Sequence, residues 1–107
     1  MTNNKTFGTG FDQLSDTSHI NRITLFNMDS NEIFSVDNLS GKQASVKILY
    51  SISQQSNSSI TAQEAHTGID LFGDYALDEQ QHPNSHPNIR FLMNVIENNQ
   101  HWKISCE

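Results

Sequence analysis

The run INRITLFNMDSNEIFSV, from Ile20 to Val36, holds two apolar segments around a polar centre. Ile20 to Met28 is rich in Ile, Thr, Leu and Phe, whose branched or aromatic side chains suit a pleated strand. Asp29-Ser30-Asn31 supplies turn chemistry, because Asp and Asn side chains bond nearby backbone and tolerate unusual dihedrals. Glu32 to Val36 then reads as the returning strand, so the run predicts a β-hairpin. Within the first strand Ile23 and Leu25 point one way, while Ile20, Phe26 and Met28 point the other. A sheet covered on one side should alternate cleanly between apolar and polar, and this strand does not.

Upstream, residues 1–6 read as a frayed start. Phe7 to Leu14 reads as a short helical turn with Phe7, Phe11 and Leu14 on one side; the second face of the hairpin is to be covered either by this segment or by another chain. Downstream, Ser40 is placed to cap a helix over Lys42–Gln55, where Ala44, Ile48, Leu49 and Ile52 recur at helical spacing. Ser56 to Ser59 breaks that pattern. Thr61 and Glu64 form a capping box, opening a helix that the periodicity carries to Gln81, with Ala62, Ala65, Ile69, Phe72 and Ala76 on its buried side. Two prolines stop the helix, so His82–Pro87 is a rigid loop. A third helix runs from Pro87 or Asn88 to Asn98 with Ile89, Leu92, Met93 and Ile96 inward. His101 to Cys106 then alternates as a last strand. A hairpin is marginal alone in water, so this strand is expected to join it. The class is α+β: a small antiparallel sheet, made of the N-terminal hairpin and the C-terminal strand, packed by three helices in one domain over residues 1–107.

Composition narrows the function classes. The chain has 107 residues, enough for one domain, and a formal net charge of −6 from six Lys plus Arg against twelve Asp plus Glu. An acidic surface repels phosphate backbones and anionic lipid, so neither nucleic acid nor membrane is an expected partner. Asn, Ser and Gln fill 33 positions, yet nine aromatics and the apolar periods argue for a packed core. The first twenty residues lack the apolar run of a signal peptide or a membrane span. Cys106 is the single cysteine, which fits a reducing compartment, a partly buried thiol and a cytoplasmic location.

Ser40-Gly41-Lys42-Gln43-Ala44-Ser45, Gly68-Ile69-Asp70-Leu71-Phe72 and His86-Pro87-Asn88-Ile89 together resemble a family of short bacterial proteins catalogued as a domain of unknown function. The resemblance runs in order from about Phe11 to Ile104. It implies a stand-alone bacterial protein of this size, and it implies no activity, cofactor or catalytic residue.

Catalytic patterns are weak. Gly41-Lys42 lacks the rest of a phosphate loop, since Val36 stands where the first glycine belongs and Gln43 follows the lysine. There is no Gly-x-Ser-x-Gly elbow, and Cys106 has no surrounding motif. The expectation is therefore a non-enzyme without a cofactor. Its sharpest interaction signal is the two-sided strand, which makes Phe26, Met28 and Phe34 the expected contacts with a protein partner or with a second copy in a homodimer. The alternative lies at His82 and His86, two imidazoles four residues apart on a stiff loop. With Asp78 they would make a weak open site for zinc or another divalent transition metal. At about 100° per residue the stripe His66, Asp70, Asp74, Asp78 climbs away from Ile69 toward water, where a solvated acidic face explains it without a ligand.

Overall fold

The structure is a computed structural model that describes residues 5–107. Strand β1 spans Arg22–Asn27 and β2 spans Ile33–Asp37. They pair antiparallel with Phe26 opposite Ile33 and Leu25 opposite Phe34, so the expected hairpin forms. Helix α1 covers Gln43–Gln54, β3 Ser59–Ile60, α2 Ala62–Phe72, α3 Asp74–Gln81, α4 Pro87–Glu97 and β4 Trp102–Cys106. The final strand does join the hairpin, lying beside β1, and the sheet order is β2-β1-β4-β3, antiparallel throughout. The architecture is α+β, with helices packed on one side of the sheet.

Alternation along the strands explains the two layers. Ile23, Leu25, Val36, Ile60 and Trp102 are buried with the helix residues Val46, Ile48, Leu49, Ile52, Ile89, Leu92 and Val95 in one core. Arg22, Phe26, Ile33, Ser35 and Ser105 point away from that core and are exposed. Among the described residues, the exposure of these side chains leaves the outer side of the sheet open.

Several local expectations are corrected. Ser40 does not cap α1, whose N-cap is Lys42 with no capping side chain. The break after α1 contains β3, a strand too short for periodicity to reveal, held by Ile60 opposite Trp102. The long helix expected from Thr61 to Gln81 is two helices, because the chain turns at Gly73 with φ 60° and ψ −124°. Only glycine tolerates that region without strain. The N-terminal segment enters the gap: Gly8 N–H donates to the Leu71 carbonyl at 2.8 Å, and Asp74 N–H donates to the Thr6 carbonyl at 3.0 Å. Thr6 N–H and its hydroxyl also donate to Asp74 Oδ2, both at 3.1 Å. Of the expected frayed start, residues 1–4 lie outside the described residues, while Thr6 is held in place by these bonds. Phe7 and Phe11 stack with ring centroids 4.0 Å apart, and Phe7 packs on Tyr75 at 4.8 Å. The segment therefore covers the α2–α3 junction and not the open side of the hairpin.

The capping box forms as read, with Thr61 N–H donating to Glu64 Oε1 at 2.8 Å. The buried side of α2 is rotated from the expected one, however. Gly68 and Leu71 join Ala65 and Phe72 inside, and Ile69 is only half-buried.

Gly73→Ala should be among the most damaging small substitutions. A Cβ there would stand 2.6 Å from both the Gly8 nitrogen and the Thr6 oxygen. Strain and clash together should cost at least about 2 kcal/mol, read by urea denaturation; a loss within error of zero would show that the α2–α3 break does not depend on this glycine.

Candidate functional site

Two regions gather the residues singled out in the sequence. The first is the open side of the sheet. Phe26, Met28 and Ile33 are 41%, 53% and 62% exposed, and Phe26 and Ile33 are direct cross-strand neighbours. Met28 follows Phe26 by two residues and extends the row. Among the described residues, the other two large apolar residues with this exposure, Leu39 and Leu77, sit apart in a loop and on α3. Clustering sets these three apart, since single exposed apolar residues are ordinary.

Phe34 does not belong to this set. It lies opposite Leu25 in the register, so its ring points inward, stacked on Phe91 at 4.5 Å. Strand alternation places neighbours Phe34 and Ile33 on opposite sides. The alternation Phe34-Ser35-Val36 carries the signal that places Phe34 on the side of Val36, facing the core. Ile33 is the residue that the sequence reading missed.

Charge on the open side is balanced. Arg22 Nε bonds Asp37 Oδ1 at 2.6 Å, and that hydrogen bond followed by the Asp37 and Glu107 charges raises the guanidinium pKa. Lys103 lies opposite Phe26 and reaches the Asn57 carbonyl at 3.3 Å. Cys106 ends β4 at an exposed position, not the partly buried one expected. Its local burial still pushes the thiol pKa up, which keeps it a poor nucleophile.

The second region is the loop after α3, and its organiser is a residue absent from the sequence reading. Glu79 has no exposed surface. Its carboxylate accepts from the backbone N–H of Asn84 at 2.7 Å, the N–H of His86 at 2.6 Å and Arg90 Nε at 2.7 Å. Burial works to raise the Glu79 pKa, but these donors and the Arg90 charge outweigh it and hold the carboxyl below the ordinary Glu range. In the sequence Glu79 looks like one more acid on a wet helix, and only the loop's return shows otherwise.

Fixed in this way, His86 turns its Nε2 to Asp78 Oδ2 at 2.6 Å, and its ring meets Tyr75 edge-on at 5.9 Å. The hydrogen bond from His86 holds the Asp78 pKa low, against an opposing effect of burial. Asp78 is therefore half-buried and paired, where the helical reckoning expected it in water; the turn at Gly73 resets the phase of α3. His82 Nε2 stands 4.0 Å from Asp78 Oδ1 with its side chain 70% exposed. Asp78, His82 and His86 are thus neighbours, arranged as a hydrogen-bonded dyad with an outlying imidazole. With Nε2 donating to Asp78, neutral His86 keeps its ring lone pair at Nδ1. Among the described residues no group of three His, Cys, Asp or Glu side chains is placed to hold a metal ion, and no helix is long and apolar enough to cross a membrane.

The family described as an uncharacterised protein conserved in bacteria, DUF2322, matches residues 7–106. The chain belongs to that family. No curated protein and no solved structure matches the chain. Membership in DUF2322 agrees with the resemblance seen in the sequence and spans both regions described above.

Glu79→Gln should destabilise the protein by about 2 kcal/mol, the usual cost of losing hydrogen bonds to a charged group, here those from Asn84, His86 and the part-exposed Arg90. The folded carboxyl has a lowered pKa, so its stabilising contribution is complete above the unfolded Glu pKa and is lost as pH falls below it. Urea titrations at roughly pH 7 and pH 4 should therefore show the gap between wild type and Glu79→Gln narrowing in acid. An equal gap at both would mean that the fold does not hold the Glu79 carboxyl below its unfolded pKa, and a gap that widens in acid would mean that it is neutral in its pocket.

Proposed function

We propose that this DUF2322 protein is a non-catalytic, cytoplasmic protein-binding module whose partner on the open side of the sheet is a second copy of itself. The observation that carries the reading is the cluster of Phe26, Met28 and Ile33 on a sheet face that no helix covers. Apolar surface gathered in one place gains free energy when it leaves water.

Charge supports self-association there. The chain as a whole carries −6, so two copies repel in most orientations. The open face holds Arg22 and Lys103 against Asp37 and Glu107, two of each sign, and is a place where an acidic protein meets itself without net repulsion. An isologous two-fold arrangement would set Phe26 and Ile33 of each copy against the other's. Three anchors make a small interface, so the affinity expected is micromolar rather than nanomolar.

Light scattering after gel filtration tests this. Wild type should show a mass rising toward a dimer with concentration, unchanged by chelator or added zinc. Phe26→Glu should weaken the dimer at least about tenfold. Phe34→Leu should leave association intact, because that ring faces the core. A monomer at every concentration, or a dimer only with zinc, would overturn the reading.

A further inference from the structure

On the helix side a cleft of about 470 Å³ opens between the start of α1, β2, the α2–α3 junction and the start of α4. Its volume falls within the range of small-molecule sites, roughly 300–1,000 Å³. Four of its walls are aromatic: Phe7, Phe34, Phe72 and Tyr75. Each is held by packing of its own: Phe34 by Phe91, Phe7 by Phe11 and Tyr75, and Phe72 by the core. Rings fixed this way lose little freedom when a flat ligand enters.

The polar part of the lining has a sign. Lys42 and His86 border the cleft, and none of the described lining residues is Asp or Glu, in a chain with twelve of them. Asp78 stands behind His86 and orients it, as given above, without being part of the lining. Acidic side chains are thus absent from the described lining of a concavity that combines aromatic walls with Lys42. A neutral apolar ligand would give no use to that lysine, and a cation would meet its repulsion.

We infer that this cleft binds a small aromatic carboxylate, its ring between the aromatic walls and its carboxylate at Lys42. The site is separate from the open side of the sheet and does not depend on the self-association reading.

The test is a backbone amide NMR titration of the whole chain with sodium benzoate, beside benzyl alcohol as the uncharged ring and acetate as the anion without a ring. Benzoate should give saturable shifts around Lys42–Ser45 and Ser85–Ile89, with a dissociation constant at or below about 1 mM. The other two should bind at least about tenfold more weakly. Lys42 is exposed and outside the core, so Lys42→Gln should fold normally and lose about tenfold in benzoate affinity without changing benzyl alcohol. Ser45→Leu, which adds bulk to the lining, should abolish saturation. Phe26→Glu should change nothing. Absence of saturation in wild type, equal binding of benzyl alcohol, shifts mapping to the open face, or a Lys42→Gln variant that binds benzoate as well as wild type would each overturn the inference.

Discussion

A carboxylate with no exposed surface must find its hydrogen bonds inside the protein, and Glu79 finds them across a turn of the chain. Two of its donors are backbone N–H groups of the loop, at Asn84 and His86, and the third is the side chain of Arg90 on α4. Arg90 also reaches the Glu79 carbonyl at 3.3 Å. One side chain thereby sets where α3 ends, how the proline loop returns and where α4 begins. Pro87 at the first turn suits that return, because its missing N–H is one that a helix start leaves unpaired anyway. The orientation of His86, the Asp78 dyad and one wall of the cleft all follow from this arrangement, since His86 is anchored by its own backbone before its ring meets any partner.

Much of this fold is legible in the sequence where the determining interactions are local. The hairpin shows because its turn residues and apolar segments adjoin, and α4 shows because Ile89 and Leu92 recur around one apolar side. The capping box at Thr61 and Glu64 is legible for the same reason: both members lie within one helical turn. What escaped is determined at a distance. The role of Gly73 depends on Thr6 and Gly8 approaching from the far end of the chain, and a lone glycine inside an apolar period gives no hint of that visitor. Strand β3 has two residues, too few for any period, and exists through its pairing with β4. Glu79 escaped because burial of an acid is a property of the donors that surround it, here delivered by a loop whose path the sequence did not reveal.

The candidate sites divide in the same manner. Phe26 and Met28 were readable because a strand with apolar residues on both sides has one side left over once the helices are placed. Which side the returning strand's Phe34 takes depends on register, and a slip of one residue exchanges every assignment. The observed register sends Phe34 to Phe91 and Ile33 to the outside. For the histidine loop, spacing shows that Asp78, His82 and His86 can meet and not which atoms they spend on one another, here His86 Nε2 on Asp78 Oδ2.

Strand β2 separates the two surfaces by alternation alone. Phe34 forms part of the cleft wall, while Ile33 stands beside Phe26 on the open face. Only a peptide unit divides these two residues, yet their side chains belong to different solvents and different chemistry. A substitution at Phe34 removes a ring that stacks on Phe91, which itself packs edge-on against Trp102 at 4.8 Å. Its consequences therefore spread through the core and the cleft together. Phe26 has no such connection inward: it is opposite Ile33 on one side and Lys103 on the other, both on the outer face. At Phe26, as at Met28 and Ile33, surface chemistry can therefore change while the packed layer beneath keeps its contacts.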